Sequence, residues 1–416
     1  MNGLHGIIFS YENHEGLREL TEVRSSSSVP FGGRYRAVDF SLSNLMNAGV
    51  TDVGVILRGR YQSLLDHLGT GKNWDLSRKR GGLRLLPPFA YLKNRDGGEP
   101  FRGKVEALYS VRSYLEEIRQ DYVVLMDGDL VANLPLTEIF EHHLRSGNDI
   151  TVVCAHDSLP VENGSYDQLD AQGRVRDVLF NLNTPRGYRS LEVFILSKTL
   201  LLSLVDGCAS QDRYSWRRDV LQAKRNELQI GSYVWSGYAA QIRSVQEYYE
   251  RSMQLLSPSI RRELFCPERP IRAKSADKSS AYIGPAGVCT NSLVADGCCI
   301  EGTVENSILF AGVRVEKGAV VRNSILFKES SVRRDAALSY VIADKDVDVL
   351  EGHTLMGYST YPIVIAKGSA VSGAGKKGGD SHEDSVRRQR GGALLQDRRA
   401  GGRGRIPAAG SGRGRR

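Results

Sequence analysis

The acidic triplet Asp127-Gly128-Asp129 is the part of the sequence best suited to chemistry. It follows an apolar run at 122–126 that predicts a buried β-strand. In sheets covered by helices, ligands bind beyond the carboxyl ends of the strands. Two carboxylates at such an end fit either a metal ion or no ligand at all, and an aspartate here is equally typical of a turn cap. The triplet is therefore a candidate ligand site.

Alternating strands and helices place this triplet in an α/β fold. Such alternation predicts a mainly parallel sheet that helices cover on both faces. We expect this unit to span residues 1–257 and a linker to span residues 258–281. Strands are predicted at 4–9, 52–57, 122–126, 150–154, 175–180 and 191–196, and helices at 40–48, 136–146, 216–226 and 245–255.

A different pattern begins near residue 282. Asn-Ser-Leu or Asn-Ser-Ile triplets start at 291, 306 and 323, and a weaker echo, Ser339-Tyr340-Val341, follows, so the spacings are 15, 17 and 16 residues. Glycines and β-branched residues recur between them. This resembles the hexapeptide repeat of a parallel β-helix, whose triangular coil takes roughly 18 residues. A β-meander is the alternative, but it does not explain the repeated triplet. We expect a β-helix at 282–368.

Charge and hydropathy narrow the function classes. The formal net charge is +8, but residues 371–416 hold twelve Lys or Arg and four Asp or Glu, which accounts for all of it. Nucleic acid is therefore not an expected partner of the folded part. We expect a disordered basic tail at 369–416, which is either a frameshift product or a nonspecific polyanion binder. No apolar run is long enough to span a bilayer and no secretory signal is present, so we expect a cytoplasmic protein without a membrane partner.

Several segments of the chain form a recognisable series in linear order. They are VPFGGRYRAVDFSLSN at 29–44; GKNWDL at 71–76, with Gly81-Gly82 and Leu86-Pro87-Pro88; Gly103 with Ala107-Leu108-Tyr109; and SLEVF at 190–194. Together these segments resemble the glucose-1-phosphate adenylyltransferase (ADP-glucose pyrophosphorylase) family. The first is close to the family's extended N-terminal signature, and the last is similar to its sugar-phosphate strand. The resemblance covers about residues 1–367.

The resemblance implies a fold, a reaction and a set of site residues. The fold is a Rossmann-like nucleotidyltransferase (GT-A-like) domain followed by a C-terminal left-handed β-helix, assembled as a tetramer. The reaction is attack of the phosphate of glucose 1-phosphate on the α-phosphorus of ATP, which yields ADP-glucose and pyrophosphate and needs Mg²⁺. Asp129 aligns with the family's first catalytic and metal-binding aspartate. Asp219 aligns with the second, although the residues around it differ from the family sequence. Ser190 aligns with a substrate contact, and Arg24 and Arg36 with effector positions. For each residue a purely structural role is the alternative: a turn cap, a helix-surface carboxylate, a strand serine or surface ion pairs.

The sequence departs from the family where phosphates bind. Catalytic members have a glycine-rich loop that ends in an arginine, and its backbone wraps the triphosphate. Here SYENHEGLR, residues 10–18, keeps one glycine, and Glu12 and Glu15 would repel the phosphates. A loop that binds ATP in another conformation is the alternative. Three further elements of the family sequence are also replaced in this chain. Ser25-Ser26-Ser27-Ser28 stands where the family has a lysine-proline element, and residues 180–185 stand where it has a Glu-Lys-Pro element. Ala239-Ala240-Gln241 stands where it has Trp-Arg-Asp.

This pattern of loss resembles the GlgD-type subunit, which pairs with a catalytic GlgC-type subunit as a hetero-oligomer, a tetramer, in glycogen synthesis. The resemblance implies a regulatory chain, weak or inactive alone, that responds to a phosphorylated effector and uses Mg²⁺ only if it is active. Two other functions stay open: an active adenylyltransferase, and a nucleotide or polyanion binding protein.

Overall fold

A mixed nine-stranded sheet forms the centre of the N-terminal half. The computed structural model describes residues 3–10, 14–87, 101–156, 161, 163–274 and 278–371. The strands of this half are β1 (Leu4–Ser10), β2 (Pro30–Phe31), β3 (Tyr35–Arg36), β4 (Asp52–Leu57), β5 (Gly82–Leu86), β6 (Tyr122–Asp127), β7 (Leu130–Ala132), β8 (Ile150–Ala155), β9 (Gly164–Leu169), β10 (Val175–Leu182), β11 (Tyr188–Ser197), β12 (Ile230–Trp235) and β13 (Ala239–Gln241).

The helices agree in part with the sequence prediction. The α-helices are α1 (Ala37–Asn47), α2 (Gln62–Leu68), α3 (Lys104–Ser110), α4 (Arg112–Glu117), α5 (Leu136–Ser146), α6 (Lys198–Ala209), α7 (Val245–Gln254) and α8 (Pro258–Leu264), with 3-10 turns at Glu15–Thr21, Ser26–Ser28 and Lys72–Trp74 and a π-type segment at Trp216–Gln222. Helix α8 therefore lies inside the predicted linker. In the described part of the chain, no helix has the length and apolar character needed to cross a membrane.

The sheet is less parallel than we predicted from sequence. Its order is β10-β9-β11-β6-β1-β4-β5, with β8 beside β11 and β12 beside β8. Strands β6, β1, β4 and β5 are parallel, but β11 runs antiparallel to β6, β8 and β9. The sheet is therefore mixed where we predicted a mainly parallel one, and β9 and β10 add an antiparallel hairpin joined by the turn at 170–173.

Helices bury both faces of the sheet, as predicted. Leu4 and Ile8 of β1 pack into one core with residues of α1, α2 and α5, and Ile7 and Phe9 pack into another with residues of α3, α4 and α6. A strand buried on both faces has a nearly continuous apolar sequence, which explains the runs that predicted these strands.

A three-sided parallel β-helix follows, as the repeats predicted. Its strands are β14 (Tyr282–Ile283), β15 (Val288–Thr290), β16 (Leu293–Val294), β17 (Cys299–Ile300), β18 (Thr303–Glu305), β19 (Ile308–Leu309), β20 (Arg314–Val315), β21 (Val320–Arg322), β22 (Ile325–Leu326), β23 (Ser331–Val332), β24 (Ala337–Ser339), β25 (Val341–Ala343), β26 (Asp348–Val349), β27 (Thr354–Met356), β28 (Ile363–Ile365) and β29 (Ala370–Val371). Each of its three sheets is a stack of short parallel strands, in the orders β14-β17-β20-β23-β26-β29, β15-β18-β21-β24-β27 and β16-β19-β22-β25-β28. The last strand extends beyond residue 368, the predicted end, and residues 372–416 of the predicted tail lie outside the described residues.

The repeated Asn-Ser triplets form one corner of this β-helix. Asn291, Asn306 and Asn323 have left-handed backbone, with φ of 43–47°, a conformation that asparagine tolerates well. The serine after each asparagine accepts a hydrogen bond from the next coil, for example from the N–H of Ser324 to Ser307 Oγ at 3.1 Å. Tyr340 takes the asparagine position in the following coil, with φ 55°. The fourth, weaker repeat therefore begins at Tyr340, one residue later than we predicted from sequence.

A third core joins the two domains. It contains Leu17 and Phe40 from the first domain and Phe310 and Phe327 from the β-helix. Helix α7 lies between them: Tyr248 donates its hydroxyl to the carbonyl of Pro30, and Tyr249 donates to Asn323, both at 2.8 Å. The described residues of the two domains accordingly belong to one compact unit.

Candidate functional site

The predicted triplet lies at the carboxyl edge of the sheet, between β6 and β7. Gly128 donates its backbone N–H to the carbonyl of Phe9 at 2.9 Å. A Cβ on Gly128 would lie 2.6 Å from Ser27 Oγ, so only glycine lets the turn pack this closely. Since β11 is antiparallel to β6, with Val193 opposite Met126, the first half of β11 lies beside the same turn. The turn and this half of β11 form the candidate site.

A β-bulge in β11 aims Glu192 into this site. The pairing of β11 with β8 shifts register between Ser190 and Val193, and Glu192 has left-handed backbone with φ 56°. This conformation costs about 1–3 kcal/mol in a residue other than glycine, and bulges of this kind re-aim a side chain. Sequence reasoning missed Glu192. The available signal was a single carboxylate within the apolar run 191–196, because buried carboxylates are almost always paired.

Three cations of this chain neutralise the carboxylates of Asp127 and Glu192. The Lys104 ammonium lies 2.6 Å from Glu192 Oε2 and 2.8 and 2.9 Å from the two carboxylate oxygens of Asp127. Arg217 forms an ion pair with Glu192, and Arg243 lies 3.8 Å from it. Burial favours the protonated form, but Arg217, Lys104 and Arg243 hold the pKa of Glu192 well below its usual range. We call these five residues the ion network.

Asp129 lies on the same turn and pairs with His14. The distance from His14 Nε2 to Asp129 Oδ2 is 2.9 Å. Burial opposes ionisation of Asp129, but the hydrogen bond from His14 and the charges of His14, Arg243 and Lys104 keep its pKa below the usual value. Since His14 directly precedes the 3-10 turn at 15–21, this contact ties the segment after β1 to the triplet.

Asp219 has a different set of partners. It lies in the first turn of the π-type segment, where its carboxylate accepts the backbone N–H groups of Tyr214 at 3.1 Å and Ser215 at 2.8 Å. Arg218 donates to it at 3.0 Å. Burial alone would raise the pKa of Asp219. The hydrogen bonds from Arg218 and from the N–H of Ser215 lower the pKa by more than burial raises it, so the net shift is downward. These contacts are those of a helix cap with a local ion pair.

This donor set does not fit Mg²⁺ in the conformation described. Magnesium takes oxygen ligands at about 2.0–2.1 Å in near-ideal octahedral geometry. Among the described residues, no group of three or more His, Cys, Asp or Glu side chains is arranged to hold a metal. Lys104, His14 and Arg218 contact the carboxylates of Asp127, Asp129 and Asp219 respectively. The assignment of Asp129 and Asp219 as catalytic and metal-binding residues stays a prediction, and no step below passes through a metal.

Ser190 is buried beside a second acidic side chain, Asp167. Its Oγ accepts the N–H of Glu192 at 3.4 Å. The Asp167 side chain is 0% exposed, and in the described part of the chain neither of its carboxylate oxygens has a hydrogen-bond partner of good geometry. Burial raises the pKa of Asp167 to about 7, because Arg217 offsets only part of the desolvation and Glu192 adds to it. A substrate contact by Ser190 stays a prediction.

The segment in place of the glycine-rich loop docks on the β-helix. Leu17 and Leu20 are buried in the core between the domains. Arg18, at the position of the loop's terminal arginine, donates to the Tyr361 hydroxyl at 3.0 Å and lies 5.5 Å from the centre of its ring. This arginine therefore contacts the β-helix and not the sheet edge. Glu15 is exposed, and Glu12 lies outside the described residues.

The other departures from the family pattern are neutral in charge. Ser25, Ser26, Ser27 and Ser28 are all buried, and the residues at 181–184 that replace the Glu-Lys-Pro element are mostly exposed. Gln241 of β13 accepts a hydrogen bond from the buried Arg189 at 3.1 Å. Neither the serine run nor the 181–184 segment brings a cation to the triplet.

The two predicted effector arginines lie at the boundary between the domains. Arg24 is buried and donates to Asp344 of the β-helix at 2.9 Å. Arg36 donates to the carbonyl of Ser63, and burial, with the nearby Arg24, lowers its pKa to about 10. Sequence reasoning missed Lys345, whose pKa is lowered to about 7 by burial and by the charges of Arg36 and Arg24.

Lys328 belongs to the same cluster of positive side chains as Arg24, Arg36 and Lys345. Burial and the charges of Arg36, Lys278 and Lys274 lower its pKa. Like charges that depress each other's ionisation in a partly buried place would be relieved by a bound anion. An effector role of Arg24 and Arg36 stays a prediction.

Comparisons with known proteins agree with this architecture. The nucleotidyl transferase family matches residues 15–257, and the GlmU-like C-terminal hexapeptide family matches residues 274–361. The chain is 34% identical over 367 residues to the glycogen biosynthesis protein GlgD of Bacillus subtilis (strain 168). The aligned residues make up 88% of this chain and 96% of that protein. This chain belongs to the family of GlgD proteins and glucose-1-phosphate adenylyltransferases.

Within the family the chain is more similar to GlgD. It is 37% identical over 320 residues to the GlgD protein of Geobacillus stearothermophilus, with 77% of this chain and 83% of that protein covered. It is 31% identical over 315 residues to the glucose-1-phosphate adenylyltransferase of the same organism, with 74% and 80% covered. Members of the nucleotidyl transferase family generally use Mg²⁺. The sequence prediction of family and fold is confirmed.

Proposed function

We propose that this chain is the regulatory, GlgD-type subunit of a glucose-1-phosphate adenylyltransferase in glycogen synthesis, and that it is weak or inactive alone. The observation that carries this proposal is the ion network. A metal-bound triphosphate needs carboxylates that can bind the metal and cations that can bind the phosphates. At this edge Lys104, Arg217 and Arg243 contact the carboxylates themselves, so both kinds of group are already engaged.

The position of Arg18 supports the same proposal. An arginine that meets a triphosphate has to point toward the sheet edge, whereas Arg18 packs on Tyr361 of the β-helix. Moving it would also disturb Leu17 and Leu20, which are buried in the core between the domains. The segment therefore acts as a connection between domains.

The expected partner is a GlgC-type catalytic subunit in a hetero-oligomer, which we propose is a tetramer in the cytoplasm. Geobacillus stearothermophilus has both a GlgD protein and a glucose-1-phosphate adenylyltransferase, and both are similar to this chain. An organism can thus hold the two kinds of chain together. We propose that Mg²⁺ serves the partner's site.

The regulatory input is a phosphorylated small molecule bound at the domain boundary. Arg24 and Arg36 lie there with Lys328 and Lys345. Arginine suits bidentate phosphate binding, and the cluster joins the nucleotidyltransferase-like domain to the β-helix. Binding there is therefore coupled to how the two domains pack, which a partner subunit can sense.

The test is ADP-glucose synthesis by this chain alone, by the adenylyltransferase of the same organism alone, and by their mixture. We expect no turnover by this chain, and a mixture that is faster or more sensitive to phosphorylated effectors than the partner. Arg36→Ala should weaken the effector response of the mixture, because it removes a charge from the cluster. The matched control Arg314→Ala removes an exposed arginine of the β-helix and should change nothing. Strong turnover by this chain alone, or a mixture identical to the partner, would contradict the proposal.

A further inference from the structure

The last coil of the β-helix carries an inserted turn. Between β27 and β28 the corner takes six residues, 357–362, whereas one or two residues form the same corner in each earlier coil. All four residues at 358–361 are exposed, and their sequence is Tyr-Ser-Thr-Tyr. Insertions into a repeat lie on the surface and often carry binding residues. Residues 358–361, which we call the inserted turn, are therefore a candidate binding element.

The two tyrosines of the inserted turn present their rings on one face. Tyr358 and Tyr361 exchange both backbone hydrogen bonds, at 3.1 and 3.0 Å. Residues paired in this way have Cα atoms about 5.5 Å apart and side chains on the same face. Tyr358 is 72% exposed and Tyr361 is 56% exposed. The two rings therefore lie side by side and are open to solvent.

Contacts from the first domain hold the inserted turn in place. Arg18 donates to the Tyr361 hydroxyl at 3.0 Å and lies 5.5 Å from the centre of its ring. Gln246 of α7 donates through Nε2 to the carbonyl of Ser359 at 2.9 Å. A ligand that meets side chains already held in place orders fewer groups on binding, and this favours affinity. The turn is therefore suited to act as a preformed platform.

We infer that Tyr358 and Tyr361 form a binding platform for a neutral oligosaccharide, an α-linked glucose chain whose sugar rings stack on the two side chains. A sugar ring has an apolar face of C–H groups and a rim of hydroxyls. Aromatic faces suit the C–H groups, and the hydroxyls of the inserted turn suit the rim, since each can donate and accept a hydrogen bond. The choice of glucose rests on the proposed function, because glycogen is an α-linked glucose polymer.

Other macromolecules fit the inserted turn less well. The strongest contacts of protein interfaces lie in desolvated pockets, whereas both rings are more than half exposed. Burial against a protein would also leave a cost for each hydroxyl of the turn that finds no partner. Nucleic acid bases stack on tyrosine too. However, the segment that contains Arg18 also carries the exposed Glu15 and Glu22, and these carboxylates disfavour a polyanion.

The test is electrophoresis of the full chain in native gels that contain increasing concentrations of glycogen. We expect glycogen to retard the wild type. Tyr358→Ala should raise the apparent dissociation constant about tenfold, because it removes one of the two stacking rings. Tyr358→Phe keeps the ring and should be retarded almost as strongly as the wild type. Tyr282→Ala, which removes a 54% exposed tyrosine from the first coil of the β-helix, is the matched control and should behave as the wild type.

Three results would overturn the inference: a wild type that glycogen does not retard, a Tyr358→Ala chain retarded as strongly as the wild type, or a Tyr358→Phe chain that loses as much retardation as Tyr358→Ala. If glycogen does not retard the wild type and Tyr358→Ala abolishes stimulation of the partner adenylyltransferase, the inserted turn contacts a protein instead. The gels contain no partner subunit and the mixing assay contains no glucan, so either proposal can fail while the other stands.

Discussion

Glu192→Gln should lower the free energy of unfolding of the nucleotidyltransferase-like domain by about 3–5 kcal/mol. The variant keeps the size of the side chain but removes the charge that Lys104, Arg217 and Arg243 share. Three cations then remain in the interior with the charge of Asp127 as the main compensation. Breaking a buried ion pair from one side costs this much because the remaining charge is left desolvated and incompletely paired.

Urea unfolding followed by tryptophan fluorescence measures this effect. The chain has three tryptophans, Trp74, Trp216 and Trp235, all in the first domain, so the signal reports the domain that holds the network. Glu305→Gln is the matched control, because Glu305 pairs with Arg322 on the surface of the β-helix and such pairs contribute about 0–1 kcal/mol. If Glu192→Gln costs no more than Glu305→Gln, the ion network does not hold the site together.

Asp167→Asn should remove a marked pH dependence of stability. The pKa of Asp167 is raised from 3.8 to about 7 by burial, so the folded protein keeps this proton up to neutral pH while the unfolded chain releases it near pH 4. The stabilisation is therefore fully present below pH 3.8 and is lost as the pH rises to about 7. The difference of roughly 3 pKa units corresponds to about 4 kcal/mol.

The comparison of wild type and variant between pH 4 and pH 8 measures this effect. Asp167→Asn, which is neutral at every pH, should match the wild type near pH 4 and be more stable by up to about 4 kcal/mol at pH 8. Glu192 does not interfere, because both proteins contain it, and its own contribution, which a lowered pKa makes present above about 4.5, is lost only at the acid end of this range. Asp121→Asn replaces an exposed carboxylate and should leave the profile unchanged. Parallel profiles for wild type and Asp167→Asn would show that folding does not raise the pKa of Asp167, which would contradict the prediction.

The sequence predicted the elements of the fold better than their pairing. The apolar run at 52–57 and the amphipathic pattern at 136–146 predicted β4 and α5 at the residues observed, because a strand buried on both faces leaves a continuous apolar run and a half-buried helix leaves a helical period. The antiparallel direction of β11 leaves no such trace, because the apolar pattern of a strand does not depend on its direction in the sheet. That direction is what places Glu192 beside Asp127.

The site was predicted only in part for a related reason. Asp129 was a candidate because it belongs to the acidic triplet after a predicted strand and aligns with a family aspartate, and Arg24 and Arg36 were candidates because they align with effector positions of the family. The partners in the ion network are far apart in sequence: Lys104 and Glu192 are 88 residues apart. Such contacts depend on the bulge in β11 and on the packing of α3, which residue spacing does not reveal.

Calorimetric titration of the isolated chain with Mg-ATP tests most directly whether the sheet edge is closed by the chain's own charges. We expect no saturable heat in the wild type, because Lys104, His14 and Arg217 already pair with the carboxylates there. Tight binding of one Mg-ATP per chain that Asp129→Asn abolishes would contradict this.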